Sequence, residues 1–217
     1  MDIHELKARA RESLKGNYKE SIKLFFLCFL VCIGITVVFS IIEENIEING
    51  LLAFILAFIP TLVVYGLYPG FYSFFLKISR NEEVSCKELF KYRNLFLVTI
   101  GTTLMVSIFI FLGTLLFIIP GIIKAISYSM AFYVLAENPN MSATEALNES
   151  KAIMEGHKMD YFVLSLSFIP WYLLVVVTFG IAALYVGPYI SLTTTNFYHN
   201  VKRQQASAQP NTAETVY

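Results

Sequence analysis

Long charge-free runs alternate with short charged segments along this chain. Leu24 to Ile42 carries no charge, and fourteen of its nineteen residues are Leu, Ile, Phe or Val. A helix of that length rises about 28 Å, close to the thickness of a bilayer's hydrocarbon core. At about −0.3 to −0.6 kcal/mol for each such residue, insertion is favoured by roughly 4 to 8 kcal/mol at most. Five further runs have similar character. The pattern predicts six membrane spans, at about 24–42, 51–76, 95–117, 120–136, 161–179 and 181–198. Pro60 and Pro69 predict a bend in the second. Between the third and fourth, the chain must turn within Phe117 to Gly121. That puts Pro120 in the first turn of span four, where its missing N–H costs nothing. This fourth span is the shortest, and a re-entrant segment there would give five spans instead. Pro170-Trp171 interrupts span five, and Pro188 lies inside span six. Residues 1–203 read as a single transmembrane domain. The tail, 204–217, is rich in Gln, Ala, Ser, Thr and Asn, and reads as a disordered cytoplasmic extension.

The bases set the orientation. Lys7, Arg9, Arg11, Lys15, Lys19 and Lys23 precede span one. Lys77, Arg80, Lys87, Lys91 and Arg93 separate spans two and three. Lys151 and Lys158 separate spans four and five, and Lys202 and Arg203 follow span six. With six spans and the N-terminus inside, every base except Lys124 is cytoplasmic. The opposite face receives the acidic loop with Glu43, Glu44 and Glu47, and two tight turns. Five spans would split the bases between the two sides.

The cytoplasmic segments resemble one another. His4-Glu5-Leu6 is followed by Gly16-Asn17-Tyr18 and span one, and Thr144-Glu145-Ala146-Leu147 by Gly156-His157-Lys158 and span five. Lys87-Glu88-Leu89-Phe90 leads about a turn sooner into span three. Ser85 to Glu88 and Ser142 to Glu145 both match the capping box that opens a helix. The expected fold is therefore an all-α bundle of three hairpins, each preceded by a short amphipathic helix on the cytoplasmic surface. In the first such helix Leu6, Ala10, Ser13 and Leu14 share a face flanked by Lys7, Arg11 and Lys15. That arrangement suits a helix lying in the lipid interface.

Three stretches carry a family likeness. One runs from Ile119-Pro120-Gly121 through Lys124 to Ser127-Tyr128-Ser129-Met130. The second is Glu137-Asn138-Pro139-Asn140-Met141-Ser142-Ala143, with Glu145-Ala146-Leu147 and Ser150-Lys151. The third continues from Met154-Glu155-Gly156-His157-Lys158 to Ser167-Phe168-Ile169, Trp171, Thr178-Phe179-Gly180-Ile181 and Pro188-Tyr189. Together these resemble a family of bacterial polytopic membrane proteins known as domain of unknown function 975. Less closely, the chain is similar to the membrane domain attached to some glycerophosphodiester phosphodiesterases. The first resemblance implies a bacterial cell-membrane location and brings no activity or catalytic residues. Where that family usually has Asp before the Asn-Pro turn, this chain has Glu137.

Composition adds little to this picture. Hydrophobic residues are 56% and charged residues 15% of the 217, with zero net charge, so nothing favours nucleic-acid binding. Cys28 and Cys32 lie four apart on one helix face, and with Cys86 make an odd count that suggests no disulfide framework. Glu155, His157 and Asp160 lack fixed ligand spacing and make a weak metal signal. No nucleophile motif, phosphate loop or intramembrane carboxylate pair is present, so no catalytic, cofactor or metal residues are expected. Lys124 stands out as an ionisable group near the membrane, either snorkelling to the interface or binding a lipid phosphate or helix partner. With Ser127 and Tyr128 it forms the candidate lipid or helix-contact site. The hydroxyls of Thr99, Thr102, Thr103 and Ser107 read as packing contacts rather than a permeation path. The expected function is a non-enzymatic membrane component that binds lipids, other membrane proteins or a second copy of itself. A small transporter or channel subunit is the alternative.

Overall fold

The computed structural model describes residues 2–45, 50, 59–60 and 62–208. Among these, every regular element is helical. In chain order they are α1 (Ile3–Asn45), α2 (Tyr68–Ser79), α3 (Glu88–Lys91), a 3-10 turn (Arg93–Leu95), α4 (Phe96–Leu116), α5 (Ile118–Ser127), α6 (Ala131–Glu137), α7 (Ala143–Ile153), α8 (Lys158–Leu166), α9 (Ile169–Val177) and α10 (Ala183–Ala208). Four stretches are long and apolar enough to cross a membrane: Ile3–Ile42, Arg93–Leu115, Ile118–Glu137 and Lys158–Val177. They contain the first, third, fourth and fifth expected spans, short of the last two residues of the third and fifth. Most of 51–61 lies outside the described residues. The region of the sixth span is helical, but Thr193, Thr194, Thr195, Asn196, His199 and Asn200 make α10 too polar to join the four.

Helix α1 departs from the expected short surface helix followed by a span. It is one uninterrupted helix of 43 residues. Nothing between the two parts stops it. No proline intervenes, and a lone Gly16 costs a helix interior only about 1 kcal/mol. Leu6, Ala10, Leu14, Ser21 and Leu24 are buried at the three- and four-residue spacing of a single face. That face packs on protein, against the core that holds Phe74, Phe75, Leu192 and Val201. The expectation that Leu6, Ala10 and Leu14 meet lipid is corrected accordingly.

The other two surface segments also differ from one another. Ser142 and Glu145 form the expected capping box, with the Glu145 carboxylate accepting from the Ser142 N–H at 2.8 Å. At Ser85 no box forms. Glu88 pairs instead with Lys77 at 2.7 Å, and the segment is a single helical turn, α3. The three segments share a buried apolar residue (Leu6, Leu89, Ala146) and no common helix length.

Hairpin α4–α5 turns at extended Phe117, as its sequence predicts, with Pro120 in the first turn of α5. The two helices cross at small residues. A Cβ on Gly121 would stand 2.2 Å from Thr114 Oγ1, so only glycine permits this approach. Pro69 and Pro170 sit in the first turns of α2 and α9, directly after breaks at residues 66–67 and 167–168, so the expected interruptions fall beside them. Pro188 lies inside a continuous helix.

Helices α1 and α10 run antiparallel, and their register is informative. Arg9 and Ser13 share a cavity with Asn196 and Asn200, Tyr18 stacks on Tyr185 at 4.7 Å, and the Phe25 ring fills the space beside Gly187. The partner of α10 is therefore the first half of α1. Residues 26–42 continue past the start of α10, with Phe29, Val37, Val38 and Ile41 each at least half exposed. Segments 24–42 and 181–198 therefore meet near their starts, where Phe25 lies against Gly187, and do not run side by side along their length. Helix α10 also extends to Ala208, and Gln205 donates to the Ala152 carbonyl at 2.7 Å, so 204–208 are helical; the rest of the expected tail, 209–217, lies outside the described residues.

Candidate functional site

The candidate site is a polar cleft at one end of the bundle, where α2, α6 and α10 converge. Helix α2 ends at Arg80 and Asn81. Asn81 adopts a left-handed φ of 58°, and the Glu82 N–H returns to the Lys77 carbonyl at 3.0 Å. This closing motif fixes the place of Arg80. Glu137 is the last residue of α6, where a carboxylate faces the negative end of the helix dipole. Its side chain is only 9% exposed, so its charge needs partners. It has three. Arg80 and Lys202 donate to opposite carboxylate oxygens, and the Tyr198 hydroxyl donates at 2.8 Å.

Aromatic packing holds that arrangement. The Tyr133 ring stacks on Tyr198 at 5.1 Å, and Tyr72 lies 4.3 Å from Tyr133 on its other side. Burying such rings stabilises by roughly 0.5–1.5 kcal/mol per pair beyond the area removed from water. The column of rings joins α2, α6 and α10 directly beneath the charged groups.

Two adjoining cavities share Ser79, Asn81, His199 and Arg203 in their linings and together form the cleft. The larger, about 610 Å³, is lined also by Arg80, Glu137 and Lys202. The smaller, about 310 Å³, reaches α1 through Arg9, Glu12 and Ser13. His199 Nε2 lies 2.8 Å from Ser79 Oγ. Burial first, then the nearby charge of Arg80, pushes the imidazole from its ordinary 6.5 down to about 4, so it is neutral at pH 7. The Asn196 side-chain nitrogen is buried and has no hydrogen-bond acceptor. No described residue accepts from it, and a buried donor in that state is uncommon.

The residues singled out from sequence lie elsewhere, on α5 and just after it. Lys124 is exposed, with its ammonium 5.9 Å from the Tyr128 ring centre, the outer limit of a cation–π contact. Ser127 is buried and bonds to its own helix, at the Ile123 carbonyl; its carbonyl accepts from Ser150 at 2.9 Å. Tyr128 is buried against Phe109. Ser127 and Tyr128 thus pack toward α7 and α4, while Lys124 reaches only the Tyr128 ring. Thr99, Thr102 and Thr103 are buried and each bonds a carbonyl one turn back in α4. Among the described residues no group of three or more His, Cys, Asp or Glu could hold a metal.

Sequence reasoning passed over the cleft. It counted Arg80, Lys202 and Arg203 only as cytoplasmic bases, and Glu137 only as a family variation. Glu137 lies 57 and 65 residues from its two cationic partners, a separation that no local motif encodes. The one available signal was an acidic residue ending an apolar run on the side richest in bases.

A family model described as "Protein of unknown function (DUF975)" matches residues 1–127 and 114–205. No curated protein and no solved structure matches the chain, and the likeness to the phosphodiesterase membrane domain finds no counterpart in the comparisons. With nearly every residue covered, the chain belongs to this protein family of unknown function.

Proposed function

We propose that this chain is a non-enzymatic component of a bacterial cell membrane, which binds lipid or a partner protein through its cytoplasmic end. The observation that carries this reading is the contrast between its surfaces. Phe111, Leu115, Phe117, Ile118, Val176, Val177 and Phe179 are all more than two-thirds exposed around the α4–α5 and α9–α10 turns. At the opposite end lies the cleft with Arg80, Lys202 and Arg203. Exposed apolar surface on that scale suits hydrocarbon rather than water.

Six crossings with both termini cytoplasmic suit the segregation of the bases best. The register of α1 on α10 runs against equal depth for the first and sixth crossings, and labelling of single cysteines separates the two arrangements. The function itself is tested by purifying the chain in mild detergent and identifying what co-purifies. Retained anionic lipid or a stable protein partner supports the proposal. The alternative, a small transporter or channel subunit, draws support from broken helix 158–177. Solute flux above empty proteoliposomes would favour it over the present reading.

A further inference from the structure

We infer that the cleft formed by Arg80, Lys202, Arg203 and Asn196 is a binding site for a phosphate group. It rests on the reading above only for whether that phosphate is carried by a lipid. Three cations line the larger cavity against one carboxylate, a local excess of two positive charges. Glu137 engages Arg80 and Lys202 together, and Arg203 has no ion-pair partner among the described residues. The Arg80 guanidinium has five donors, and its one bond to Glu137 leaves others available.

A phosphate suits this arrangement better than a carboxylate does. It carries up to two negative charges at neutral pH and spreads them over several acceptor oxygens. Arginine presents its paired donors in the geometry that phosphate oxygens accept. Asn196 adds a buried amide donor that lacks an acceptor among the described residues. His199 is kept neutral first by burial and then by the nearby Arg80 charge, so it adds no competing positive charge to the cleft. Glu12 at the far edge of the smaller cavity bounds the site on the α1 side.

The source of the phosphate is either a lipid headgroup or a soluble phosphate, and two arms of one experiment separate them. The full chain is purified in detergent beside Arg203→Gln and, as a control, Arg93→Gln, which removes an exposed charge in the 3-10 turn. Arg203 is itself exposed, so its replacement leaves the fold in place. In the first arm, melting is followed while inorganic phosphate is titrated at constant ionic strength. In the second, native mass spectrometry counts lipids retained from nanodiscs of phosphatidic acid mixed with phosphatidylcholine. Phosphate that stabilises the parent and Arg93→Gln, with affinity about tenfold weaker in Arg203→Gln, supports a soluble ligand. One phosphatidic acid retained per chain, about tenfold less in Arg203→Gln, supports a headgroup. Binding in neither arm, or equal binding by the two variants, overturns the site. Recovery of the chain without detergent would instead overturn the membrane reading, and leaves the phosphate arm intact.

Discussion

Tyr198 donates its hydroxyl to Glu137 at 2.8 Å, and Lys202, one helical turn later, engages the same carboxylate oxygen. With Arg80 from α2 on the other oxygen, one side chain ties together three helices that are far apart in sequence. Glu137→Ala should cost about 1–3 kcal/mol, because it orphans a buried hydroxyl and two cations at once. For a chain of this length that is roughly 2–4 °C of melting temperature per kcal/mol. Glu137→Asp, which keeps the charge, should cost less. Equal melting of Glu137→Ala and the parent would remove the carboxylate as a structural joint.

His199 makes the pH dependence specific. Its folded value, about 4, lies below its ordinary 6.5. The unfolded chain therefore binds more protons than the native one between those values, and this contribution to stability falls as pH drops through 6.5 towards 4. Melting of the parent should decline more steeply between pH 7 and 5 than that of His199→Gln. Parallel curves would contradict the burial of a neutral imidazole.

The two sequence-predicted capping boxes should respond differently. Ser142→Ala removes a formed box and should cost about 1 kcal/mol. Ser85→Ala removes a hydroxyl whose contact with the Lys87 N–H is 3.4 Å, and should change stability by less than about 0.5 kcal/mol. Chemical denaturation of both variants under one condition checks the contrast.

Glycine substitutions should diverge in sign. At Gly16 a Cβ meets nothing within 4 Å and the residue is helical, so Gly16→Ala should stabilise by up to about 1 kcal/mol. Gly121→Val would drive its side chain into Thr114 and should destabilise by about 1–3 kcal/mol, separating α4 from α5. Thermal melting of the pair reads both.

Much of the fold was legible because apolar length and proline placement act locally. The turn at Phe117, the first-turn position of Pro120 and the box at Ser142 follow from a few neighbouring residues. The continuity of α1 was not legible. A change from amphipathic to wholly apolar sequence marks a change of surroundings, and the backbone need not break there. The register of α1 on α10 depends on contacts such as Phe25 with Gly187, which no periodicity announces. The cleft was hidden for the same reason. Each of its charges had a sufficient local explanation as a cytoplasmic base, and only the folded chain shows Arg80 and Lys202 on one carboxylate.

The central claim is that the apolar turns and the basic cleft lie on opposite sides of a membrane. Single cysteines at Phe117, Phe179 and Arg203, in a chain with Cys28, Cys32 and Cys86 replaced by Ser, test it with a membrane-impermeant maleimide on intact cells. The account predicts labelling at Phe117 and Phe179 from outside, and at Arg203 only after the cells are opened. Labelling of all three sites alike, or a chain recovered in the aqueous fraction without detergent, would contradict it.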